Sequence, residues 1–560
     1  MSSEKSFLKN IIALLLPYRF YLSLIFLYMI LGALLNVALP IVNMKILDEG
    51  IIALNFPSLV QFSVVSLVLY LASRGLDFLE FKRLTSISKK FELKLSKEAH
   101  DHLFRLPINY FKEHNESQIM SNLNYDIGKI TRILDRPMFL SVAQIFNVIG
   151  GIIGLCIIDM RLLGLVILII PIKVFVMRFF AKRREGLFAK AIPLLNNVAA
   201  WLGDTVGNID VVKLWNLQSK KTSEYVKLKE AALNANIETQ YNDKVSENID
   251  YAVNFIFDLL IYIVGFGEIV RGCLTVGGLT AFASFSTQVI NPISFVMQIR
   301  FYFSEIKPSI KRHAEFLELQ EEDDVDSQQE KIQSPNKITF DHVSLKLSDT
   351  TIISDISLEL KRGQMVAITG ENGSGKSSLV NLLLRFYLPT EGKICFDGIN
   401  IQDFSLKKYR DLFAVIRQDT KLFNLTIREN IDPLGKKSDE DIHELCNAWK
   451  FTQLIESLPE GFGTIVGKNG SKLSGGEGQK ISAIRALLKD ANILVIDEAT
   501  SNYDVESEDI FNDFLSVCDS YDYIIIITHR NKILEKVDRI IQLENGVVIS
   551  DRIVQQDAAK

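Results

Sequence analysis

The sequence predicts a membrane α-helical bundle of six spans followed by an α/β P-loop domain, and the prediction rests on two observations. Within the first 303 residues, six segments approach the roughly 20 apolar residues that cross a hydrocarbon core. Farther along, residues 370–377 read Gly-Glu-Asn-Gly-Ser-Gly-Lys-Ser and match the phosphate-binding pattern G-x-x-x-x-G-K-[ST]. A chain of 560 residues is also too long for one core, so two large units are expected.

The composition agrees with a chain that is embedded in a membrane in part. Hydrophobic residues make up 48% of the chain, 35 residues are phenylalanine, and the mean hydropathy is +0.18. A net charge of −5 and a pI near 5.9 indicate no basic face, so we expect no nucleic-acid partner. The five cysteines are scattered without C-x-x-C pairs, so neither a cysteine metal site nor a disulfide framework is expected.

The connections between the six apolar segments predict their orientation. Loops 80–137 and 182–248 are crowded with lysine and arginine, whereas the other connections are short and nearly free of basic residues. Because cytoplasmic loops hold the excess of basic residues, we expect both long loops and both termini in the cytoplasm. Residues 7–16 are either an interfacial helix or an early start of the first span. The predicted spans are 20–43, 57–79, 138–158, 161–181, 249–270 and 279–303.

Several polar side chains fall inside or at the ends of these spans. Because such groups are costly in hydrocarbon, they usually face the interior of a bundle or a water-filled cavity. The last two spans provide the candidates for a substrate cavity, and Pro292 is expected to kink the sixth span. The cavity candidates are Asn254, Asp258, Gln288 and Asn291. Other charged groups either face a cavity or lie beyond the membrane on helices that continue into the cytoplasm, namely Arg74, Asp77, Lys173 and Arg178.

An acidic, glutamine-rich run separates the two predicted units. Residues 321–330 cannot bury enough apolar surface to fold alone, so a solvated linker is expected there. From residue 338 onward, short β-rich runs alternate with helical patterns, which indicates a sheet layered with helices. The predicted domains are a membrane domain at 1–319, an acidic linker at 320–336 and an α/β domain at 337–560.

The phosphate-binding motif lies in the context that it requires. An apolar run at 365–369 predicts a buried strand before the loop, and residues 378–383 predict a helix after it. In such a loop, backbone N–H groups surround the phosphates of ATP, the lysine meets the β and γ oxygens, and the last hydroxyl holds Mg²⁺. The residues predicted to bind ATP are Gly370, Glu371, Asn372, Gly373, Ser374, Gly375, Lys376, Ser377 and Ser378, of which Ser377 is also a predicted Mg²⁺ ligand.

Two adjacent carboxylates follow a second apolar strand, at 493–496. Phosphoryl transfer depends mainly on positioning and on charge stabilisation, so the two groups are expected to have different duties. Asp497 is predicted to hold the Mg²⁺ shell, and Glu498 is predicted to orient and polarise the attacking water. Glu498 is therefore the first candidate for the catalytic residue of an ATPase.

A third motif lies at residues 473–477, which read Leu-Ser-Gly-Gly-Glu and introduce a helical pattern. Glycines before a helix N-terminus expose N–H groups that attract anions. With the three motifs in this order, nearly the whole chain resembles the ABC transporters. Membrane helices followed by one ATPase domain are typical of an exporter-type half-transporter.

The resemblance implies further site residues. Gln418 matches the Q-loop glutamine, which is able to touch Mg²⁺ or the attacking water, and His529 matches the switch histidine, which reaches the γ-phosphate. The predicted catalytic set is thus Glu498, His529 and Gln418, and the predicted Mg²⁺ ligands are Ser377, Gln418 and Asp497. Residues 501–504 occupy the D-loop position, where the family more often has Ser-Ala-Leu-Asp.

The resemblance also implies an assembly of two ATPase domains, head to tail. One ATP would lie between Lys376 of one copy and Ser474 of the other. Because this chain has all the matched elements, a homodimer is the simpler expectation and a heterodimer is the alternative. The residues expected to contact the ATP of the other copy are Leu473, Ser474, Gly475, Gly476, Glu477 and Asp504.

Two positions depart from the family's pattern. Leu347 replaces the aromatic residue that stacks on adenine, and a leucine offers contact without a π face. We therefore expect weaker or less base-selective nucleotide binding. The usual glutamine of the signature is Glu477, which leaves open how the partner's loop contacts the coupling helices.

The function implied by the resemblance is ATP-driven export or flipping of an unidentified substrate across the cytoplasmic membrane. Residues 106–111 and 207–215 resemble coupling helices whose tips touch the ATPase, although ordinary amphipathic packing would explain their spacing equally well. The expected cargo is small or amphipathic, a drug, a lipid or a peptide. An importer, and an ATP-gated channel or regulatory membrane ATPase, are the alternatives.

Overall fold

The computed structural model describes residues 11, 14–322, 334–347, 350–449, 451–498, 509–511, 513, 515 and 520–554. These residues form two compact units. The first comprises the described residues up to Phe104 together with Ser117–Leu319. The second comprises Arg105–Glu116 together with the described residues from Gln320 onward.

The first unit is helical. Up to residue 317, the chain forms helices α1 (Arg19–Lys45), α2 (Phe56–Leu103), α3 (Ile108–Glu113), α4 (Glu116–Thr131), α5 (Arg136–Ile158), α6 (Leu163–Gly207), α7 (Ile209–Leu214), α8 (Gln218–Val270), α9 (Val276–Ile290) and α10 (Pro292–Leu317), of which α3 belongs to the second unit. A π-helical segment, Ile46–Ile52, extends α1. Among the described residues, α1, α2, α5, α6 and α8 belong to stretches long and apolar enough to cross a membrane, and α9 is a shorter apolar helix.

The longest helices extend well past the predicted spans. Helix α2 has 48 residues and α8 has 53, so each is about 70–80 Å long, more than twice the roughly 30 Å of a hydrocarbon core. The helical extensions that the sequence predicts for the long loops are therefore present. The sixth predicted span is divided, because α9 ends at Ile290 and α10 begins at Pro292, whose ring suits the first turn of a helix.

The helix α9 begins at a capped turn that also contacts the end of α1. Thr275 accepts the N–H of Gly278 at 2.8 Å, and Asp48 accepts the N–H of Gly277 at 2.8 Å. A Cβ at Gly277 would lie 2.5 Å from the carbonyl oxygen of Met44, so only glycine permits this approach. Behind this turn, the apolar core of the unit is formed by buried side chains of α5, α6, α8 and α9.

The second unit contains two sheets. Its strands are β1 (Lys337–Leu347), β2 (Thr350–Lys361), β3 (Gln364–Thr369), β4 (Glu391–Phe396), β5 (Ile399–Asn400), β6 (Phe413–Ile416), β7 (Ile493–Asp497), β8 (Tyr523–Ile527), β9 (Arg539–Glu544) and β10 (Val547–Ile553). One sheet is antiparallel in the order β2-β1-β4-β5. The other has the order β10-β9-β3-β8-β7-β6, and all its neighbours are parallel except β10 and β9.

Helices lie along the second unit between these strands. They are α11 (Lys376–Leu383), α12 (Leu406–Asp411), α13 (Ile427–Ile431), α14 (Asp439–Ala448), α15 (Thr452–Glu456), α16 (Gly475–Leu487) and α17 (Asn531–Leu534). The central strand β8 is buried along its whole length, as expected of a parallel strand covered on both faces. The predicted fold class, a membrane helical bundle followed by an α/β P-loop domain, is thus confirmed.

The parallel register brings four strand ends to one edge. Ile416 of β6 pairs with Ile496 of β7, and Asp497 pairs with Ile527 of β8. Strand β3, next to β8, ends at Thr369 immediately before the phosphate-binding loop. Because ligands bind beyond the carboxyl ends of parallel strands, this edge is where the site residues predicted from separate motifs should meet.

Candidate functional site

The phosphate-binding loop has a backbone that only glycine permits at its ends. Gly370 has φ +143° and Gly375 has φ +101°, and a Cβ at Gly370 would lie 2.1 Å from the carbonyl oxygen of Leu543. Gly375 is the residue before α11, so the free N–H groups of that helix begin at the loop. The loop therefore presents backbone donors to an anion, as the motif predicts.

Lys376 lies across this loop. Its Nζ donates to the carbonyl oxygens of Gly370 at 2.6 Å and Glu371 at 2.9 Å, and the residue is only 7% exposed. The ammonium group is therefore held in the concave side of the loop with its stem buried. A phosphate in the loop would replace these carbonyl contacts with charge-assisted ones.

Asp497 and Ser377 meet across the same edge. Burial raises the pKa of Asp497, and nearby Glu498 raises it further, whereas a hydrogen bond with Ser377 and the charges of Arg417 and Lys376 lower it. A partly buried carboxylate beside a hydroxyl is an oxygen donor set suited to a hard divalent cation.

Glu498 has a left-handed backbone, with φ +46°. A non-glycine residue in this region costs on the order of 1–3 kcal/mol, so the surrounding structure must hold it. Its N–H donates to the carbonyl oxygen of Ile527 at 3.1 Å, which continues the pairing of β7 with β8. The carboxylate Oε1 lies 3.4 Å from Nε2 of His529, so two residues predicted from separate motifs lie together.

Gln418 follows β6 and has an exposed side chain. The backbone carbonyl oxygen of Gln418 accepts a hydrogen bond from Nε2 of Gln479 at 3.2 Å, which links Gln418 to α16. Its neighbour Arg417 donates to Oδ1 of Asn381 on α11 at 3.1 Å and lies over the ring of Phe386 at 5.7 Å. Arg417 and Gln479 were not predicted from the sequence, because neither is a defining residue of a motif.

The residues at the start of α16 form a capping box. The Ser474 hydroxyl accepts the N–H of Glu477 at 3.3 Å, and Oε2 of Glu477 accepts the N–H of Ser474 at 2.7 Å. Either glutamate or glutamine can complete this pair, so the departure at Glu477 preserves the local structure. Asp504, predicted to lie in the same composite pocket, falls outside the described residues.

Leu347 ends β1 and packs, partly buried, against the core of the antiparallel sheet. It lines a cavity of about 570 Å³ that is also lined by Pro107, Asn109 and Phe386. The segment before and within α3 therefore belongs to the second unit. Lys112 of α3 also donates to the hydroxyl of Tyr387 at 2.5 Å.

The end of the described linker region is tied to the second unit as well. Glu322 accepts two hydrogen bonds from the guanidinium of Arg410, at 2.7 and 2.8 Å, and its N–H donates to the carbonyl oxygen of Arg105 at 2.8 Å. A bidentate pair of this kind fixes both position and orientation. Residues 323–333 lie outside the described part of the chain.

The predicted cavity residues of the first unit divide into separate groups. Asn254 donates to Oδ1 of Asn291 at 3.3 Å, whereas Gln288 donates to the carbonyl oxygen of Asn36 at 3.2 Å. No ion pair involves Asp258 among the residues that the structure describes. Of the four candidates, Asn254 and Asn291 are the two that the described contacts join directly.

A buried ion pair lies beside Asn254. Lys173 of α6 has a fully buried side chain whose Nζ lies 3.0 Å from Oδ1 of Asp250 and 3.0 Å from Oδ1 of Asn254, both on α8. Lys173 is therefore held between α6 and α8 by contacts with two residues of α8. Asp250 was missed, because it lies just inside the predicted span without a motif of its own.

The fold and the site define a membrane-embedded P-loop ATPase. The family described as ABC transporter transmembrane region matches residues 22–293, and the family described as ABC transporter matches residues 353–501. The chain belongs to the ABC transporters, with the membrane and ATPase domains fused in the exporter-type order, and it couples ATP hydrolysis to transport.

Curated relatives match along nearly the whole chain. An ATP-dependent lipid A-core flippase of Thiobacillus denitrificans is 29% identical over 534 residues, which cover 93% of this chain and 90% of the relative. A flippase of the same description from Haemophilus ducreyi is 26% identical and covers 100% and 97%. YwjA of Bacillus subtilis, described as an uncharacterized ABC transporter ATP-binding protein, is 27% identical and covers 95% and 93%.

A solved structure has the same architecture. The structure of a bacterial Atm1-family ABC exporter with ATP bound aligns with a TM-score of 0.80 and 24% sequence identity. The alignment covers 95% of this chain and 95% of that chain. At this identity the likeness supports the fold, including the exporter arrangement of membrane helices before the ATPase domain.

Proposed function

We propose that this protein is an ATP-driven exporter or flippase that moves an amphipathic, lipid-like substrate across the cytoplasmic membrane. The observation that supports this most directly is the meeting of Lys376, Asp497, Glu498 and His529 at one sheet edge, in a chain that also has its own membrane bundle. Relatives described as lipid A-core flippases cover both domains, which favours a lipid-like cargo over a soluble one.

The ATPase step follows from the placement of these groups. Loop N–H groups and Lys376 would bind the phosphates, and Ser377 and Asp497, with Gln418, would hold Mg²⁺. When bound, Mg²⁺ neutralises charge on the phosphate oxygens. Glu498 would orient the attacking water. His529, whose Nε2 lies 3.4 Å from Oε1 of Glu498, would hold this carboxylate in place and reach the γ-phosphate.

We propose that the working assembly is a dimer of two identical chains. Ser474 and the N-terminus of α16 would face the ATP held by Lys376 of the second copy, with Asp504 in the same composite pocket. The tip around α7 favours such an arrangement, because Leu214 is 79% exposed and Trp215 is 74% exposed. Exposed apolar side chains at a helix tip are suited to docking on the ATPase domain of the other copy.

The proposed orientation puts the ATPase domain in the cytoplasm. The basic residues concentrate in the two long loops, which is typical of cytoplasmic segments. Import is not favoured, because the connections between the remaining spans are short. An ATP-gated channel remains the second candidate, because the same ATPase would open a pore without moving cargo uphill.

The test is ATP-dependent lipid movement in liposomes that contain the purified full-length chain. Fluorescent lipid analogues should change leaflet with ATP, and should stay in place with the Glu498→Gln variant, which binds ATP without turnover. Lipid movement that needs only ATP binding, and that merely equilibrates the leaflets, would favour the channel. Hydrolysis at full rate by single copies isolated in nanodiscs would contradict the dimer.

A further inference from the structure

A pocket lined by five amide side chains lies inside the first unit. Its volume is about 200 Å³, and the amides come from three helices, α1, α5 and α9. They are Asn36 and Asn43 of α1, Gln144 and Asn147 of α5, and Gln288 of α9. Only Gln288 was among the residues that the sequence predicts for a substrate cavity.

Pro40 explains why a polar pocket exists at this level of α1. Proline has no N–H, so the carbonyl oxygen of Asn36, four residues earlier, loses its partner in the helix. Gln288 supplies the missing donor from α9, with Nε2 at 3.2 Å from this oxygen. A backbone defect in one helix is therefore satisfied by a side chain of another, as membrane helices require.

The other end of the Gln288 side chain has no such partner. Its Oε1 is buried and accepts no hydrogen bond from any residue that the structure describes. A buried acceptor without a hydrogen bond is unfavourable, so a donor in the pocket would bind favourably there. Gln288 thus faces the pocket with an acceptor while its donor is already engaged.

The depth of the pocket places it near the middle of the membrane. Asn147 is the central residue of α5, about 16 Å from either end at about 1.5 Å per residue. Half of a hydrocarbon core is roughly 15 Å, so the pocket lies close to the midplane. Transporters commonly bind their substrates at this depth.

The lining selects a neutral, hydrogen-bonding group. None of the residues that line the pocket carries a charge, so a phosphate or ammonium group would be desolvated there without a counter-charge. Each amide both donates and accepts, as a hydroxyl group does. Leu39 and Pro40 add an apolar wall that is suited to the C–H face of a sugar ring.

The size of the pocket suits one ring rather than a whole lipid. Its volume of about 200 Å³ is several times the roughly 30 Å³ of a water molecule. It is smaller than the roughly 300–1,000 Å³ of pockets that enclose drug-sized ligands. We propose that this amide pocket binds the carbohydrate headgroup of a neutral glycolipid during transport, an inference that rests on the proposed lipid-moving function.

The competing explanation is that the amides only hold the helices together. Asn36 donates to Asn147 at 3.4 Å and accepts from Ser73 of α2 at 3.2 Å, and such contacts stabilise membrane bundles. Gln144 separates the two explanations, because among the described residues its Oε1 accepts a hydrogen bond within α5 alone, from Asn147 at 3.2 Å. Removing Gln144 should therefore cost little in helix packing but should remove a ligand contact.

The experiment measures ATPase stimulation of the full-length chain in phosphatidylcholine nanodiscs. Monoglucosyl diacylglycerol is titrated against phosphatidylglycerol with the same acyl chains. In Gln144→Leu, the half-stimulating fraction of the glycolipid should rise roughly three- to tenfold, while that of phosphatidylglycerol does not change. Asn43→Leu, on a different helix, should act in the same direction, and Gln61→Leu, an exposed amide of α2 outside the pocket, should match the unchanged chain.

Each outcome decides the proposal. Equal half-stimulating fractions for the two lipids in the unchanged chain, or equal shifts for both lipids in Gln144→Leu, would overturn the glycolipid site. A loss of thermal stability with no change in lipid selectivity would assign the amides to helix packing alone. If the unchanged chain moved fluorescent phosphatidylglycerol with ATP but Gln144→Leu shifted neither half-stimulating fraction, only the pocket assignment would fail. If it moved no lipid at all, the proposed function would fail.

Discussion

The ATP site and the amide pocket are both polar, but they are built in opposite ways. The ATP site gathers short loops at the ends of parallel strands, and its key groups are backbone N–H groups or residues adjacent in sequence, such as Asp497 and Glu498. The amide pocket gathers single side chains from three long helices, and its central contact joins residues 252 positions apart. The comparison teaches that the ATP site is specified mainly by short stretches of sequence, whereas the proposed carbohydrate pocket depends on side chains that are far apart in the chain.

The largest expected effect concerns the ATP site. Glu498→Gln should lower the ATP turnover number by about 10²–10⁴-fold, because the attacking water loses its general base, while ATP binding persists. Steady-state ATPase assays and nucleotide-binding titrations measure the two properties. Glu535→Gln, an exposed residue of the same unit, is the matched control. Normal turnover in Glu498→Gln would contradict the catalytic assignment.

The next effect tests whether single side chains across helices hold the membrane half together. Lys173→Met removes the fully buried cation that faces Asp250, whose side chain is 18% exposed, and breaking a buried pair typically costs about 3–5 kcal/mol. We therefore expect a large fall in the thermal stability of the detergent-solubilised chain. The double variant Lys173→Met with Asp250→Leu should recover most of it, because no buried charge remains.

Lys190→Met, an exposed position on the same helix, is the control for the loss of a lysine. A fall in stability as large as that of Lys173→Met would show that burial of the ion pair is not the cause. A double variant no more stable than Lys173→Met would also contradict this account.

A smaller effect concerns Leu347, the residue expected to contact the adenine base of ATP. Leu347→Tyr should tighten ATP binding by roughly two- to tenfold, because an aromatic ring adds about 0.5–1.5 kcal/mol through stacking. Fluorescence titration with ATP and GTP measures both affinity and base selectivity. Leu347→Met, which adds no ring, should leave the affinity near its original value. Unchanged ATP affinity in Leu347→Tyr would argue that this position does not face the base.

The smallest effect concerns the start of α16. Glu477→Gln keeps the capping box with Ser474, so ATPase activity and thermal stability should change little. Glu477→Ala removes the contact to the Ser474 N–H and should cost roughly 1 kcal/mol of stability. Equal losses in the two variants would mean that the negative charge, and not the cap, is what α16 requires.

Much of the ATP site could be predicted, because glycines with a positive φ mark its phosphate-binding loop. Gly370 and Gly375 are required by their positive φ values, and the strand before them contains a continuous apolar run. What could not be predicted is how separate motifs meet. The distance of 3.4 Å between Glu498 and His529 depends on the pairing of β7 with β8, which no local pattern specifies.

The membrane domain shows what hydropathy alone cannot predict. Hydropathy located most of the spans, and Pro292 correctly marked the division of the sixth. It did not group Gln288 with Asn36, or Lys173 with Asp250. In a helix that is apolar on most faces, the sequence does not specify which face turns toward which neighbour.

By itself, therefore, the sequence determined the order of the domains, the phosphate-binding loop and the candidate residues for ATP binding and hydrolysis. These features follow from backbone conformation and from residues that are close in the chain. Only the tertiary structure decided that Gln288 donates to the backbone carbonyl oxygen left free by Pro40, and that five amides from three helices line one pocket. The physical reason is that helix rotation and packing, which aim these side chains, are set by the whole bundle at once.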